Sequence, residues 1–465
     1  MNSAYKVDVD LELLRKYGRP GPRYTSYPTA PQFNGDFGPS EFREEIVSSN
    51  RGDDLPDLSL YFHFPFCRSL CYYCACNVII THSPARIAGY IGDLKREIDL
   101  VGGLVHPRRK VVQIHWGGGT PTYLSPDQAV DVFRHIRSKF DFAPDAEIGV
   151  EIDPRGLTRE YLAALRGAGF NRVSFGIQDF DPEVQKAVNR IQPEQTGREV
   201  VRWSRELGFD SVNVDLIYGL PRQSVESYRT TLDKIVDISP DRLAVFNYAH
   251  VPWLKKHQRV IPETALPDAG ERLQLLKLII ETLTAAGYVY IGMDHFAKPG
   301  DELARALADH TLYRNFQGYS TRANAEVYAM GVTSISQLKN VYAQNTKDTA
   351  AYAGMLERGL VPTHVGYRLD DDDKIRRYVI TEIMCNSRVI KSEVAARFGA
   401  DFDSYFDSST AKLDEFVRDG LVSLRPDRLQ VHEAGRLVIR NVAMAFDRYL
   451  DAQDGAKKPV YSRTV

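Results

Sequence analysis

The chain has 465 residues, of which 43% are hydrophobic and 11% are aromatic, and its formal net charge is −2. A chain of this length and apolar content can form about two or three domains with a sizeable core. The balanced charge argues against nucleic acid or an anionic membrane as the main partner, since both attract strongly basic surfaces. We find no run of about 18 apolar residues and no apolar N-terminal segment, so we expect a soluble, cytoplasmic protein without a signal peptide.

Residues 1–55 are rich in proline and glycine, with the stretch GRPGPRYTSYPTAPQF at 18–33 and a short helical pattern at 39–50. Proline and glycine at this density favour turns and extended chain. A disordered tail is one interpretation of such a segment. The aromatic residues Tyr24 and Tyr27 favour the other interpretation, an N-terminal arm that packs against the rest of the protein.

From residue 56 to about residue 365, short runs rich in Val, Ile and Phe alternate with helical patterns. Six such repeats predict an α/β domain whose parallel strands form a partial or complete (β/α) barrel. A dinucleotide-binding fold fits less well, because no G-x-G-x-x-G follows the first strand. The predicted strands are 58–64, 111–116, 146–152, 172–178, 211–218 and 242–248, and the predicted helices are 85–100, 126–140, 159–168, 181–188, 194–207 and 224–235, extended by a helix at 269–286 and a strand at 288–293.

Four of the five cysteines follow the first predicted strand within ten residues, in the spacing C-x3-C-x2-C-x-C at Cys67, Cys71, Cys74 and Cys76. Thiolates at this density select zinc or an iron–sulfur cluster. Structural zinc sites usually combine two separated pairs of ligands, and no second cysteine pair follows here. Three cysteines on one loop suit a cluster in which three irons are bound by protein and one iron is open. A zinc knuckle is the alternative.

Polar residues or glycines also follow the next strands, at the end where parallel barrels bind ligands. The glycines at 117–119, before Thr120, are expected to let backbone N–H groups approach a ligand. A phosphate-binding loop would need G-K-[ST] at this point, which is absent. Glu151 ends the third strand, and an inward carboxylate there suits an ammonium group or a ribose hydroxyl; a solvated residue at the rim is the alternative.

The fourth, fifth and sixth strands continue this pattern. Gln178 offers an amide, and Arg190 is suited to binding a carboxylate, although a lone arginine is more often on the surface. Asp215 lies among apolar residues and needs a partner, which a ribose diol would supply. The small residue Ala249 leaves room for an adenine ring.

Two glycine-rich and aromatic segments, 310–320 and 329–336, are predicted to be loops that cover a site. Residues 366–465 are predicted to form a separate helical domain of winged-helix type, with helices near 392–398, 404–417 and 433–450 and a hairpin at 421–429. Cys385 is expected in its core. The polar tail after residue 453 is predicted to be loose unless it docks.

The cysteine loop, with Tyr73 before the third cysteine, resembles the signature of radical S-adenosylmethionine (SAM) enzymes. Motifs over nearly the whole chain resemble the oxygen-independent coproporphyrinogen III oxidase family of that superfamily. A haem chaperone or another haem-handling relative on the same scaffold is the alternative, but Cys76 and the long N-terminal arm favour the oxidase family. The motifs include RYTSYP, HFPFCRSLCYYCAC, HWGGGTPTYL, EIDPR, FGIQDF, NVDLIYGLP, FNYAH, GMDHFA and NFQGYST.

This resemblance implies a barrel with an N-terminal arm over its mouth, a [4Fe–4S] cluster with one open iron, and two SAM molecules. It implies that Cys67, Cys71 and Cys74 hold the cluster. Cys76 is separated from Cys74 by one residue and is expected to have a supporting role or a role on the substrate side. The residues implied to contact the cluster-bound SAM are Tyr61, Gly118, Glu151 and Ile335, and those implied to contact the second SAM are Tyr73, Gly119, Thr120, Gln178, Arg190, Asp215 and Ala249.

The resemblance also implies the reaction. A 5′-deoxyadenosyl radical would start the oxidative decarboxylation of two propionate side chains of coproporphyrinogen III, giving the two vinyl groups of protoporphyrinogen IX. An unidentified electron donor and an unidentified acceptor would be the further partners of a monomeric protein. Arg23 and Arg314 are candidates for binding the carboxylates of the substrate, and either of them is also compatible with a surface position.

Overall fold

The computed structural model of the protein describes residues 5–53, 55–451, 461 and 464. The predicted loose tail after residue 453 lies outside the described residues, apart from Tyr461 and Thr464. Among the described residues, we find no helix with the length and apolar character that crossing a membrane requires. The predicted domain boundaries at 55/56 and 365/366 stay a prediction.

The centre of the protein is one sheet of 12 strands. Six of them are parallel and neighbour one another in chain order, as the alternating pattern predicts. Their carboxyl ends therefore meet at one edge of the sheet. These strands are β1 (Leu58–Phe64), β2 (Lys110–Gly118), β3 (Asp141–Ile152), β4 (Arg172–Gln178), β5 (Ser211–Tyr218) and β6 (Arg242–Asn247).

Six further strands extend this sheet on both sides. Next to β6 lie two antiparallel strands, and next to β1 lies a parallel strand followed by three antiparallel ones. The strand order begins with β12 and ends with β7. Among the described residues these two edge strands do not pair with each other, so the sheet does not close. This agrees with the predicted partial barrel. The added strands are β7 (Val289–Gly292), β8 (His295–Ala297), β9 (Glu326–Met330), β10 (Ile335–Gln337), β11 (Val341–Asn345) and β12 (Thr363–Arg368).

Two predictions about this sheet are wrong in detail. The segment 329–336 is not one loop, because β9 is a fully buried run, EVYAM, and only the turn that separates it from β10 is irregular. The third strand begins at Asp141 and not at Ala146, since Pro144 lies in a bulge opposite β2, where a residue without an N–H is tolerated.

The helices between the strands cover the sheet and begin and end where local signals predict. Ser125 accepts a hydrogen bond from the Gln128 N–H, with Pro126 at the first helical position. Gly169 ends a helix with a left-handed φ of 116°. These helices are Pro84–Gly102, Pro126–Lys139, Arg159–Ala168, Pro182–Ala187, Glu194–Glu206, Val225–Ile238 and Ala269–Ala285.

Aromatic packing joins the sheet to these helices. Trp116 on β2 is fully buried, and its ring centroid lies 4.6 Å from that of Phe64 and 4.9 Å from that of Phe170. Phe133, on the helix after β2, contacts both Trp116 and Phe170. Burying a side chain of this size contributes about 1.5–3 kcal/mol, so this cluster is a main support of the strand that leads into the glycines.

The described part of the N-terminal segment is a packed arm and not a disordered tail. The Tyr24 hydroxyl donates to Asp447 at 2.9 Å, and the ring of Phe33 stacks on Tyr342 at 5.5 Å. Arg440, in the C-terminal region, donates to the carbonyl of Pro22 at 2.9 Å. The arm is therefore fixed both to the sheet and to the C-terminal region. Its helices are Leu11–Tyr17 and Pro39–Ser49.

The C-terminal region is helical with a small sheet, which agrees with the winged-helix type of the prediction. A three-stranded sheet forms from Arg388–Ile390, Val422–Leu424 and Arg428–Val431, of which the prediction found only the hairpin. Cys385 is buried on the helix Asp371–Asn386, as expected. The other helices of this region are Lys391–Phe398, Phe402–Tyr405, Asp407–Ala411, Asp414–Arg418, Glu433–Arg436, Ile439–Met444 and Arg448–Asp451.

The remaining short elements lie in connections. The predicted loop at 310–320 contains a hairpin of Tyr313–Asn315 and Gly318–Ser320. Two-residue strands, Phe66–Cys67 and Ile79–Ile80, pair in parallel at the base of the cysteine loop. The other short helices are Ala30–Gln32, Pro121–Tyr123, Lys256–Val260, Glu263–Ala265, Glu302–Ala308 and Thr349–Glu357.

Replacing Arg109 by methionine is expected to lower the free energy of unfolding by about 3–5 kcal/mol, because Glu326 would lose its partner in a buried ion pair. The Arg109 side chain is fully buried and donates to Glu326 at 2.8 Å. Chemical unfolding measures the change. The control is Arg108→Met, which removes an exposed pair with Asp53 and should cost less than about 1 kcal/mol. Equal losses for the two variants would contradict the assignment.

Candidate active site

Backbone carbonyls hold the cysteine loop in place. Gln258 donates to the Tyr73 carbonyl at 2.9 Å, Lys255 donates to the Cys76 carbonyl at 3.1 Å, and the ring of His257 lies 2.8 Å from the Cys74 carbonyl. All three side chains come from the segment after β6. Because these contacts use main-chain oxygens, the cysteine sulfurs stay available to bind a ligand.

The four clustered cysteines line one cavity of about 410 Å³ at the carboxyl edge of the sheet. The Cys67 sulfur lies 3.4 Å from the Thr120 hydroxyl. The Cys71 sulfur lies 3.6 Å from Arg190 Nη1 and 3.8 Å from Arg155 Nη2. Two guanidinium groups therefore lie beside the Cys71 sulfur.

The cysteine loop offers several thiols from one short segment. A structural zinc site requires its ligands to converge on one point, whereas in an iron–sulfur cluster each thiolate binds its own iron. Among the residues that the structure describes, no three His, Cys, Asp or Glu side chains are close enough together to hold one metal ion.

Cys76 acts on a neighbouring thiol. A hydrogen bond between the side chains of Cys76 and Cys74 is the main cause that lowers the pKa of Cys74 to about 7. Burial, in contrast, raises the pKa of Cys67 to about 11. The role of Cys76, supporting or on the substrate side, stays a prediction.

The glycines at 117–119, two of which end β2, allow close packing. The N–H of Gly118 donates to Glu151 on β3 at 3.2 Å, and that of Gly119 donates to the Phe64 carbonyl on β1 at 2.8 Å. A Cβ on Gly118 would lie 2.6 Å from the His63 ring, and φ there is 113°. Both N–H groups are therefore hydrogen-bonded within the protein, and contact of these glycines with SAM stays a prediction.

Glu151 is held as a carboxylate that faces the cavity. His115 Nε2 lies 2.9 Å from its Oε1, and the Gly118 N–H binds its Oε2. Burial acts to raise the pKa of Glu151, but these hydrogen bonds outweigh burial and hold the pKa below its ordinary value. Tyr61 stacks on the His115 ring at 6.1 Å and thereby supports this pair.

Arg190 is buried and is bound on two sides. It donates to the Gly176 carbonyl at 2.5 Å and pairs with Asp153 at 3.3 Å. Asp153 also binds Arg155 at 2.6 Å. Asp153 and Arg155 line the cavity but were not predicted as site residues, although both belong to the EIDPR motif. The signal was their position directly after a strand that ends in Glu151.

Two further predicted residues face the same cavity with unusual features. Gln178 has a φ of 71°, and its buried side-chain oxygen has no hydrogen-bond partner. Asp215 accepts hydrogen bonds from Asn213 at 2.7 Å and from Ser174 at 3.2 Å. Burial, and then the nearby charge of Glu151, raise the pKa of Asp215 to about 7.

Five predicted residues do not line this cavity: Tyr61, Ala249 and Ile335, and the two candidates for the substrate carboxylates, Arg23 and Arg314. Tyr61 and Ile335 lie on β1 and β10, and Ala249 follows β6, where its carbonyl accepts from Gln258 at 3.3 Å. The opposite end of the cavity contains polar residues that the sequence did not reveal. These are Arg242, His295, Asn315, Gln317 and Tyr319.

Comparison with known proteins agrees with this geometry. The radical SAM superfamily model matches residues 61–235, and the HemN C-terminal domain model matches residues 369–438. Relatives named oxygen-independent coproporphyrinogen III oxidase occur in Synechocystis, with 47% identity over 99% of this chain and 98% of the relative, and in Escherichia coli, with 43% identity over the whole of both chains.

A solved structure is also similar over nearly the full length. The structure of coproporphyrinogen III oxidase (HemN) from Escherichia coli, described as a radical SAM enzyme, is 43% identical and superposes with a TM-score of 0.90. The match covers 96% of this chain and 100% of that one. The chain therefore belongs to the oxygen-independent coproporphyrinogen III oxidase family of radical SAM enzymes.

Proposed function

We propose that the protein converts two propionate side chains of coproporphyrinogen III to vinyl groups and releases protoporphyrinogen IX. The observation that carries this proposal is full-length identity above 40% to relatives of that named activity, within a fold that places the cluster-binding cysteines and the strand-end polar residues around one cavity. The haem-chaperone alternative has no observation in its favour, since the arm and Cys76 of the oxidase pattern are both present.

When bound, the [4Fe–4S] cluster and SAM supply the 5′-deoxyadenosyl radical that removes a hydrogen atom from a propionate β-carbon. Cys67, Cys71 and Cys74 would each hold one iron, which leaves one iron open for SAM. Arg190 and Arg155 compensate the negative charge at Cys71. The Thr120 hydroxyl offers a hydrogen bond to the Cys67 sulfur.

The carboxylates and the amide around the cavity are proposed to bind and orient two SAM molecules. The ionised Glu151 suits the ammonium group of the cluster-bound SAM. Asp215 suits ribose hydroxyls, and the unpartnered oxygen of Gln178 suits a donor on the second SAM. In this proposal Tyr61, Gly118 and Ile335 complete the site of the cluster-bound SAM, as the family resemblance implies. The second site is completed by Tyr73, Gly119, Thr120, Arg190 and Ala249.

The enclosing sheet and helices keep water away from the reacting groups, which protects a radical from side reactions. Each propionate requires one electron from a donor and passes one electron to an acceptor when CO₂ leaves. We propose that both partners are external to a monomeric, cytoplasmic protein. The balanced net charge of −2 supports function without nucleic acid or a membrane.

The activity is tested with protein that is purified without oxygen and reconstituted with iron and sulfide. Added SAM, reductant and coproporphyrinogen III should yield 5′-deoxyadenosine and two CO₂ per protoporphyrinogen IX. Cleavage of SAM with no loss of propionate carboxyl groups would contradict the proposed function and favour a haem-handling relative.

Cys67→Ser is expected to lose most of the cluster iron and all decarboxylation, because the hard hydroxyl of serine is a poor iron ligand. The matched control is Cys385→Ala, which removes the cysteine that lies outside the loop and is buried in the C-terminal region. Its iron content should equal that of the unchanged protein. Iron and sulfide analysis measures both variants, and retention of iron by Cys67→Ser would overturn the ligand assignment.

Asp215→Asn is expected to stabilise the apoprotein relative to the unchanged protein at pH 8 but not at pH 4. The folded pKa of Asp215, about 7, lies above its unfolded value, so folding favours the protonated form. The stabilisation that the protonated Asp215 side chain contributes is present below about pH 4 and is lost as the pH rises to about 7. Chemical unfolding at both pH values measures this, with the exposed Asp210→Asn as the control. If Asp215→Asn changed the free energy of unfolding by the same amount at both pH values, the raised pKa of Asp215 would be contradicted.

A further inference from the structure

Arg314 is a buried arginine that has no ion-pair partner in the part of the chain that the structure describes. The residue is 6% exposed, and its Nε and Nη1 atoms are buried without a hydrogen-bond partner. The structure gives it no ion pair with any residue that it describes; its guanidinium lies 4.8 Å from the centroid of the Tyr319 ring. Arg109, in contrast, is equally buried but pairs with Glu326 at 2.8 Å. A buried charge without a counter-charge destabilises the folded protein. We therefore expect that an anion from a ligand binds to the Arg314 guanidinium.

This cation lies where three parts of the chain meet at the mouth of the barrel. Its hairpin contributes Asn315, Gln317 and Tyr319 to the wall of the cavity. Arg23 of the N-terminal arm pairs with Asp294, whose carbonyl accepts from the N–H of Val245 on β6. Asp294 follows β7, so this point lies at the carboxyl edge of the sheet, as the cysteine loop does.

Positive charge accumulates around Arg314. Burial, followed by repulsion from Arg314, lowers the pKa of Arg440 to about 10. Burial, followed by repulsion from Arg314 and Arg23, lowers the pKa of His295 to about 3, so this ring is neutral. Asp294 already forms an ion pair with Arg23, and Arg440 donates to the carbonyls of the arm. The negative charge of Asp294 is therefore not available to neutralise Arg314.

Other polar atoms at this end of the cavity also lack partners. They are the side-chain nitrogen of Gln317 and Nδ1 of His295. Both residues line the cavity wall, and the side chain of Arg23 is 34% exposed. Arg314 lies behind this wall and contacts the ring of Tyr319, which does line the cavity. A planar guanidinium with unused N–H groups matches a carboxylate in both charge and geometry.

We propose that Arg314, with Arg23 beside it, binds one propionate carboxylate of the substrate and so fixes the orientation of the macrocycle relative to the cluster. The inference rests on the proposed function, which supplies a substrate with four carboxylates. Arg314 would make this contact in the mouth of the barrel, on the side of the cavity that lies opposite the cysteine loop. Removing the contact is expected to weaken substrate binding and leave cluster binding intact.

The test uses the reconstituted, full-length protein with SAM and titrates it with coproporphyrin III, the non-reactive oxidised form of the substrate, by fluorescence. Arg314→Met is expected to raise the Kd roughly ten- to a hundredfold, as loss of a hydrogen bond to a charged group does. Arg314→Lys keeps the positive charge but loses the planar guanidinium. Its Kd should lie between that of the unchanged protein and that of Arg314→Met. Iron content and the melting temperature of Arg314→Met should match or exceed those of the unchanged protein.

The melting temperature separates substrate binding from a structural role. Arg109→Met is the matched control, since it removes a buried arginine that does have a partner and should melt at lower temperature. An equal Kd for Arg314→Met and the unchanged protein would overturn the inference and leave the proposed function standing. A lower melting temperature for Arg314→Met would also overturn the inference, because the guanidinium would then stabilise the folded protein. Failure of the unchanged protein to bind coproporphyrin III would contradict both proposals.

Discussion

The site depends on charge compensation at the cysteine loop, and Arg190 is the side chain that provides most of it. One guanidinium group contacts the Cys71 sulfur, the Asp153 carboxylate and the carbonyl of Gly176. It thereby joins the loop after β1 to the ends of β3 and β4. A buried arginine that is fixed in this way presents its positive charge to the loop without moving, which is a form of electrostatic preorganisation. The cysteine loop is also held through its main-chain carbonyls, by Gln258, Lys255 and His257.

The N-terminal arm and the C-terminal region contact each other. Tyr24 in the N-terminal arm binds Asp447 in the C-terminal region, and Arg440 binds the carbonyl of Pro22. The arm lies across the mouth of the barrel because Arg23 reaches Asp294 at the carboxyl edge of the sheet. The polar end of the cavity near Arg314 is thus built from three distant segments. The cofactor residues, in contrast, come from the sheet and from the loops that follow its strands.

Much of the fold and of the site follows from local patterns in the sequence. The six central strands, their helices and the cysteine loop were predictable because each depends on spacing within a few residues. The short strands β9 to β12, all of six residues or fewer, were missed. The close packing around Gly118 was not predictable, since the sequence shows that a glycine is present but not that His63 on β1 lies against it.

Contacts between distant residues set the limit of prediction. Arg23 and Arg314 were recognised only as arginines suited to a carboxylate, and nothing in their neighbouring residues shows that one pairs with Asp294 while the other has no partner. Asp153 and Arg155 lie next to a predicted residue, yet their link to Cys71 through Arg190 requires the fold. Burial and pairing across the chain decide these roles, and a linear pattern does not contain them.

The central claim is that this cavity brings the SAM-derived radical to a propionate side chain. Its most direct measurement uses coproporphyrinogen III carrying deuterium at the propionate β-carbons, followed by mass spectrometry of the 5′-deoxyadenosine formed. The account predicts one deuterium in each 5′-deoxyadenosine molecule and one CO₂ released for each. Formation of protoporphyrinogen IX with unlabelled 5′-deoxyadenosine would contradict it.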